Sequence, residues 1–195
     1  LVVPSITAHT LATRGFTPSS LSQYLGTGVS DQGTAFGSMY TVTHFSTSAM
    51  QPADVEAIAT YLMTDKDGQL LTPAKGPEPL PEAVDPGLQL GRLSYMSACA
   101  GCHGTQGEGI PNVAPPMNGN IAVLMDSPVN LLTVILQGIP TQTFAGNQRM
   151  YAMPGFADRM SAEEVAGLAS WMRAQWGRQG KAITAEQVES IAPAK

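Results

Sequence analysis

A gap-free internal repeat is the feature that most constrains how this 195-residue chain can fold. When the first part of the sequence is shifted by 110 positions onto the second, proline, glycine and apolar positions coincide. The aligned pairs are Pro18 with Pro128, Leu21 with Leu131, Leu25 with Ile135, Gly28 with Gly138, Met50 with Met160, Val55 with Val165, Ile58 with Leu168, Ala59 with Ala169, Tyr61 with Trp171 and Leu62 with Met172. Because the pairs reproduce a whole helix face, the repeat predicts a duplicated domain.

The helix signals are clearest in the second copy. Ser161 and Glu164 form a capping-box pattern ahead of apolar residues at helical spacing, which predicts a helix over 161–176. A second helix is expected from Pro128 to about Gln137, and the Thr184-x-x-Gln187 pattern opens a short terminal one. No strand pattern is evident, so the prediction is an all-α chain of two tandem domains.

Both cysteines of the chain fall in one motif, Cys99-Ala100-Gly101-Cys102-His103. Two thiols three positions apart followed at once by a histidine are typical of covalent c-type haem attachment, with His103 as an iron ligand. A thioredoxin-like dithiol would need a βαβ pattern around it, and a zinc site would need a second pair of ligands. The sequence contains neither pattern. The helix before the motif is expected to start at Asp85 and Pro86, with Leu88, Leu90, Leu93 and Met96 on its apolar side.

The second axial ligand has to come from elsewhere in the chain. Met153 is preferred among ten methionines because Ala152-Met153-Pro154-Gly155-Phe156 is a loop that cannot be helical. The alternative is that Met150 ligates the iron and Met153 fills the pocket. His9 and His44 lie far upstream and are less favoured.

The first copy is expected to be incomplete. The offset places the counterpart of the cysteine motif ahead of Leu1. Leu1 itself is expected to be the first residue of a mature or trimmed chain. Either an upstream stretch carries another haem motif, which is the preferred explanation, or the first copy is a haem-free remnant. Met153 falls on Thr43, so a first-copy ligand would be Met39, with His44 a weaker candidate, unless Met39 belongs to the core.

Composition and proline distribution define the organisation and exclude some functions. Prolines concentrated between 65 and 86 predict a linker, giving a partial domain over 1–66, a linker over 67–86, a complete haem domain over 87–180 and a terminal helix and tail over 181–195. With 13% charged residues and a net charge of -5, nucleic acid is not an expected partner. The longest apolar stretch, 129–139, is too short to span a bilayer.

The chain resembles the multihaem cytochrome c subunits of membrane-associated bacterial dehydrogenases of alcohols, sugars and sugar acids. The residues that carry the resemblance are Gly37-Ser38-Met39, Ser46-Thr47, 54–62, 99–103, Asn118-Gly119-Asn120, Asn130-Leu131-Leu132, Met153-Pro154-Gly155-Phe156 and Trp176-Gly177. The resemblance implies tandem class I cytochrome c folds and three haems in the intact polypeptide. It implies Met153 as the ligand of this haem, Met39 as the ligand of the preceding one, and Pro115 or Pro116 as the carbonyl partner of His103.

The expected function is electron transfer, because no nucleophile triad, paired-carboxylate cluster or phosphate-binding loop stands out. The resemblance implies that the donor is a quinone- or flavin-containing catalytic subunit, that electrons go towards ubiquinone or an oxidase, and that the protein lies on the periplasmic face of the cytoplasmic membrane, held by its partners or by an anchor outside this sequence. A freely diffusing cytochrome serving a terminal oxidase is the alternative. A catalytic, five-coordinate haem as in peroxidases is a third hypothesis.

Overall fold

A computed structural model of the chain describes residues 1–73, 88–177 and 181–192. Contacts divide the chain into two compact units. The N-terminal unit comprises Pro4–Pro77 and Thr143–Arg149, and the C-terminal unit comprises Leu1–Val3, Glu78–Gln142 and Met150–Lys195. No helix in the described ranges is long and apolar enough to cross a membrane.

Helices dominate both units, as the sequence predicts. Those of the N-terminal unit are α1 (Ala8–Thr13), α2 (Pro18–Thr27), α3 (Ser38–Phe45) and α4 (Pro52–Leu62), with a 3₁₀ turn at Thr47–Ala49. Those of the C-terminal unit are α5 (Gln89–Ala98), α6 (Ala100–His103), α7 (Ile121–Leu124), α8 (Val129–Gln137), α9 (Ala162–Gln175) and α10 (Ala185–Glu189).

The expectation of no strands is wrong in detail. Two short antiparallel pairs form, β1 (Val29–Ser30) with β2 (Gly33–Thr34), and β3 (Gln142–Phe144) with β4 (Gln148–Met150). Each strand is only two or three residues long, which is too short for an alternating pattern to be visible in the sequence. The strands lie within the loops that connect the helices, and the architecture remains helical.

The helix caps form as the sequence indicates. Ser161 accepts a hydrogen bond from the Glu164 amide at 3.2 Å, and the Glu164 carboxylate accepts one from the Ser161 amide at 2.8 Å. Thr184 and Gln187 form the same reciprocal arrangement at the start of α10. These contacts satisfy amide groups that the first turn of a helix otherwise leaves unpaired.

The helix starts in the two units agree with the offset of 110 to within one residue, although α9 extends beyond the counterpart of the α4 end. The α2 helix begins at Pro18 and α8 follows Pro128, and each ends before a glycine with positive φ, at Gly28 and Gly138. The α4 and α9 helices begin at residues 52 and 162. The positions paired by the sequence repeat therefore occupy matching places on matching helices.

The core of the C-terminal unit is built where α5 lies on α9. A Cβ added at Gly91 would lie 2.1 Å from the Gly167 carbonyl oxygen and 2.8 Å from the Trp171 Cβ, so only glycine permits this backbone approach. One helical turn on, Tyr95 is fully buried and its ring contacts Trp171 and Trp176 at centroid distances of 5.1 and 4.9 Å.

This packing corrects the expected apolar side of α5. Leu90, Leu93 and Met96 are 77%, 52% and 39% exposed, whereas Gly91 and Tyr95 face α9. The prediction was wrong because it assigned the largest apolar side chains to the buried side of α5. The buried side instead contains Gly91, whose lack of a side chain lets the backbones of α5 and α9 approach each other. The predicted start at Asp85 and Pro86 and most of the 67–86 linker lie outside the described residues.

The first three residues belong to the C-terminal unit, whereas the sequence groups 1–66 together. The Val2 amide donates to the Asn130 side-chain oxygen at 2.7 Å, and the Asn130 amide donates to the Val2 carbonyl at 2.8 Å. This pair of hydrogen bonds satisfies Asn130, which is 7% exposed on α8. A buried amide therefore accounts for the placement of Leu1–Val3.

Candidate functional site

The two cysteines lie at the junction of α5 and α6. Cys99 is the C-cap residue of α5 and also the N-cap residue of α6, and Cys102 lies within α6. Cys99 is buried and Cys102 is exposed, and they form no disulfide. Burial raises the pKa of the Cys99 thiol to about 11, so in the free chain it keeps its proton at neutral pH.

His103 closes α6 and is 8% exposed. Its Nδ1 lies 2.9 Å from the Pro115 carbonyl oxygen. Since a carbonyl can only accept, Nδ1 carries the proton, and Nε2 keeps the lone pair that a metal requires. Burial lowers the pKa of His103 and the Pro115 contact opposes it, so the neutral imidazole is favoured.

The loop after α6 brings Pro115 back to the histidine. The Gly109 amide donates to the His103 carbonyl at 2.8 Å, and the Met117 amide donates to the Gly107 carbonyl at 2.8 Å. The resemblance left Pro115 and Pro116 open as the partner. In the structure the Pro115 carbonyl faces His103, whereas the Pro116 carbonyl accepts from the Asn120 side chain at 3.0 Å.

Met153 lies in a non-helical segment between β4 and α9. Its amide and carbonyl form a two-way bridge with Ile139, at 2.9 and 3.0 Å, and its side chain packs partly buried against the core. Gly138 lies against this bridge, because a Cβ there would lie 2.3 Å from the Met153 carbonyl oxygen. Met150, the alternative ligand, ends β4 and is 9% exposed.

The candidate ligands of the first copy lie in the N-terminal unit. Met39 is half-buried in the first turn of α3, so it is helical where Met153 is extended. Thr43, the offset partner of Met153, is 1% exposed and donates to the Tyr40 carbonyl. His44 is exposed, with Nδ1 3.2 Å from the Thr143 carbonyl, and His9 is exposed on α1. Met39 as a ligand stays a prediction.

The donor set of the C-terminal unit fits a covalently bound haem. Two thiols lie on one helical turn, an oriented neutral imidazole follows them, and a thioether lies on a fixed loop. Within residues 1–73, 88–177 and 181–192, no three histidine, cysteine or acidic side chains cluster as a metal site, so the zinc alternative gains no support.

Sequence reasoning missed Tyr95 as part of this site. The buried Tyr95 hydroxyl donates to the Gly104 carbonyl at 2.7 Å, directly after His103. Burial raises the pKa of this phenol, so it remains a donor. The available signal was its position four residues before Cys99, which places both on one side of α5.

Comparisons with known proteins agree with this chemistry. Residues 88–176 match the cytochrome c family. The chain is 29% identical to an alcohol dehydrogenase (quinone) cytochrome c subunit from Gluconacetobacter polyoxogenes over 86% of this chain and 37% of that protein. It is 34% identical to a nicotinate dehydrogenase subunit from Pseudomonas putida over 96% of this chain and 16% of that protein. It is 29% identical to a gluconate 2-dehydrogenase cytochrome c subunit from Pantoea cypripedii over 88% of this chain and 40% of that protein. The chain thus spans less than half the length of each of these three relatives.

Proposed function

Because residues 88–176 match the cytochrome c family, we propose that this chain is the electron-transfer subunit of a dehydrogenase complex. It carries electrons and does not transform substrate, as the names of the alcohol and gluconate dehydrogenase relatives, both cytochrome c subunits, support. The observation that carries the proposal is the buried His103, held by the Pro115 carbonyl beside two cysteines.

Each residue of the site has a distinct role in this function. Cys99 and Cys102 would hold the haem through thioethers, and His103 and Met153 would ligate its iron. When bound, the haem supplies a one-electron couple, which His and Met ligation poises at a raised potential. The Pro115 carbonyl fixes the imidazole orientation, and buried Met117 and Phe156 help to exclude water from the unit's interior.

The N-terminal unit is proposed to be an incomplete first copy of the same domain. The support is the coincidence of α2 with α8 and of α4 with α9 at one offset. A further haem attached ahead of Leu1 and ligated by Met39 would then make the chain part of a multihaem relay. Tandem haems would shorten each electron-transfer step between partner subunits.

The proposed setting is the periplasm. Covalent haem attachment needs reduced thiols and an assembly system outside the cytoplasm. The donor would be a quinone- or flavin-containing catalytic subunit and the acceptor ubiquinone or an oxidase, with membrane association through partners or an anchor. A diffusible cytochrome is the alternative, but similarity to dehydrogenase subunits runs through both units, over at least 86% of the chain.

Absorption spectroscopy of the haem-loaded protein tests the ligand assignment. Met153→Leu should abolish the weak long-wavelength methionine-to-ferric-iron band, and Met150→Leu should retain it. The reverse result would make Met150 the ligand. A band absent from the unsubstituted protein would favour the five-coordinate, catalytic hypothesis.

Co-purification tests the place in a complex. The native subunit, tagged and purified from the source membranes, should elute with a dehydrogenase catalytic subunit and become reduced when that enzyme's substrate is added. Elution as a monomer, reduced only by small-molecule reductants, would favour the diffusible alternative.

A further inference from the structure

Three buried aromatic rings lie beside the loop that follows His103. Tyr95, Trp171 and Trp176 are 0%, 3% and 7% exposed. The Tyr95 centroid lies 5.1 Å from that of Trp171 and 4.9 Å from that of Trp176, and the two tryptophan centroids are 5.0 Å apart. Each ring therefore contacts the other two, and we name this group the aromatic cluster.

Two members of the aromatic cluster contact this loop, each at a different residue. The Tyr95 hydroxyl donates to the Gly104 carbonyl at 2.7 Å. The Trp176 indole fills the space of a side chain at Gly107, because a Cβ there would lie 2.6 Å from its Cζ2 atom and 2.7 Å from its Cε2 atom. The Gly107 amide donates to the Gly104 carbonyl at 3.3 Å, so both contacts fix the same turn.

The turn at 104–107 is joined to the carbonyl that orients His103. The Gly107 carbonyl accepts a hydrogen bond from the Met117 amide at 2.8 Å, two residues after Pro115. A Cβ at Gly109 would lie 2.8 Å from the Pro115 carbonyl carbon, so the outgoing and returning parts of the loop are in direct contact. Residues 104–117 form no helix, so their path depends on what they pack against.

We propose that Trp176 and Tyr95 are positioning residues for His103. Through their contacts with the turn at 104–107, they hold the loop on the path that brings the Pro115 carbonyl to the imidazole. The inference rests on the proposed function in one respect, that His103 is an axial ligand. The hydrogen-bond partner of the other ring nitrogen sets the orientation and basicity of a metal-bound imidazole, so the aromatic cluster would act on the iron from outside its ligand set.

Exchange of the imidazole proton with solvent tests the inference. The haem-loaded native subunit, with isotopically labelled histidine, is reduced and transferred to deuterated buffer, and NMR follows the loss of the His103 Nδ1 proton. Trp176→Phe removes the part of the indole that lies against Gly107, and Tyr95→Phe removes only the hydroxyl. Trp171→Phe is the matched control, because it makes the same substitution in the same cluster at a side chain that lies against α5.

Trp176→Phe and Tyr95→Phe should each speed this exchange about tenfold relative to that of the buried Leu168 amide, which reports opening of the whole unit. Trp171→Phe should leave the ratio unchanged. An unchanged ratio in either of the first two variants, or an equal increase in the control, would overturn the inference. If Trp176→Phe does not fold, Tyr95→Phe decides. The expected ratios in a subunit that accepts no electrons from a dehydrogenase would contradict the proposed function alone.

Discussion

Replacing Gly91 by alanine should weaken the contact between α5 and α9 more than any exposed substitution in this unit. The added Cβ would lie 2.1 Å from the Gly167 carbonyl oxygen, 2.6 Å from its carbonyl carbon and 2.8 Å from the Trp171 Cβ. All three are backbone atoms or a Cβ, so no side-chain rotation relieves the overlap. The two helices must separate, and Tyr95 and Trp171 lose part of their packing.

The net cost follows from two opposing contributions. Overpacking of this kind costs about 3 kcal/mol, at the upper end of the usual range. Alanine recovers about 1 kcal/mol because glycine is the poorer helix former. The remaining cost of about 2 kcal/mol corresponds to a Tm lower by roughly 8 to 16 °C for a domain of about 90 residues.

The matched control is Gly167→Ala on the facing helix. A Cβ there would meet nothing closer than 3.9 Å, at the Gly91 amide nitrogen. This variant should gain the helix propensity without the overlap, raising stability by up to about 1 kcal/mol. Thermal denaturation followed by circular dichroism compares both with the unsubstituted protein. If Gly91→Ala matched or exceeded the Tm of that protein, the close approach of the two backbones would be refuted.

Three further predictions concern the caps, a buried arginine and a buried phenol. Ser161→Ala removes the cap of α9 and should cost about 1 kcal/mol in denaturant unfolding, whereas Ser161→Gly should cost only a few tenths; an unchanged unfolding free energy in Ser161→Ala would argue against the hydrogen bond. Arg173 is 4% exposed and donates through Nη2 to the Met125 and Asp126 carbonyls at 3.0 and 2.8 Å, so Arg173→Met should cost about 2 kcal/mol in the same assay, and full recovery with Arg173→Lys would contradict a need for the guanidinium. Burial raises the pKa of Tyr24 to about 12, so the folded chain keeps a proton that the unfolded chain releases near pH 10. The contribution of protonated Tyr24 to the free energy of unfolding is therefore complete below about pH 10 and is lost as the pH rises towards 12. Tyr24→Phe should flatten this decline in unfolding free energy, and an unchanged slope of unfolding free energy against pH would exclude Tyr24 as its source.

Local chemistry was readable from the sequence where neighbouring residues decide it. The capping boxes at Ser161 and Thr184 and the glycine ends of α2 and α8 depend on groups within four residues of one another. The cysteine motif is equally local, and the match of 88–176 to the cytochrome c family agrees with it. The roles of Met153, Met39 and Pro115 as haem residues stay predictions.

Tertiary structure decided which sides of those helices meet. The sequence favoured the side of α5 with Leu90, Leu93 and Met96, but the fold buries Gly91 and Tyr95, because the shortest distance between two helix backbones is reached at a residue without a side chain. It also selected the Pro115 carbonyl over that of Pro116, which depends on the path of a loop fixed by hydrogen bonds such as that from the Met117 amide to the Gly107 carbonyl. The repeat itself was visible in the sequence, but the exposure of Ile58 and Tyr61 on α4, 37% and 79%, was not, because exposure is a property of what packs against a helix and not of the helix alone.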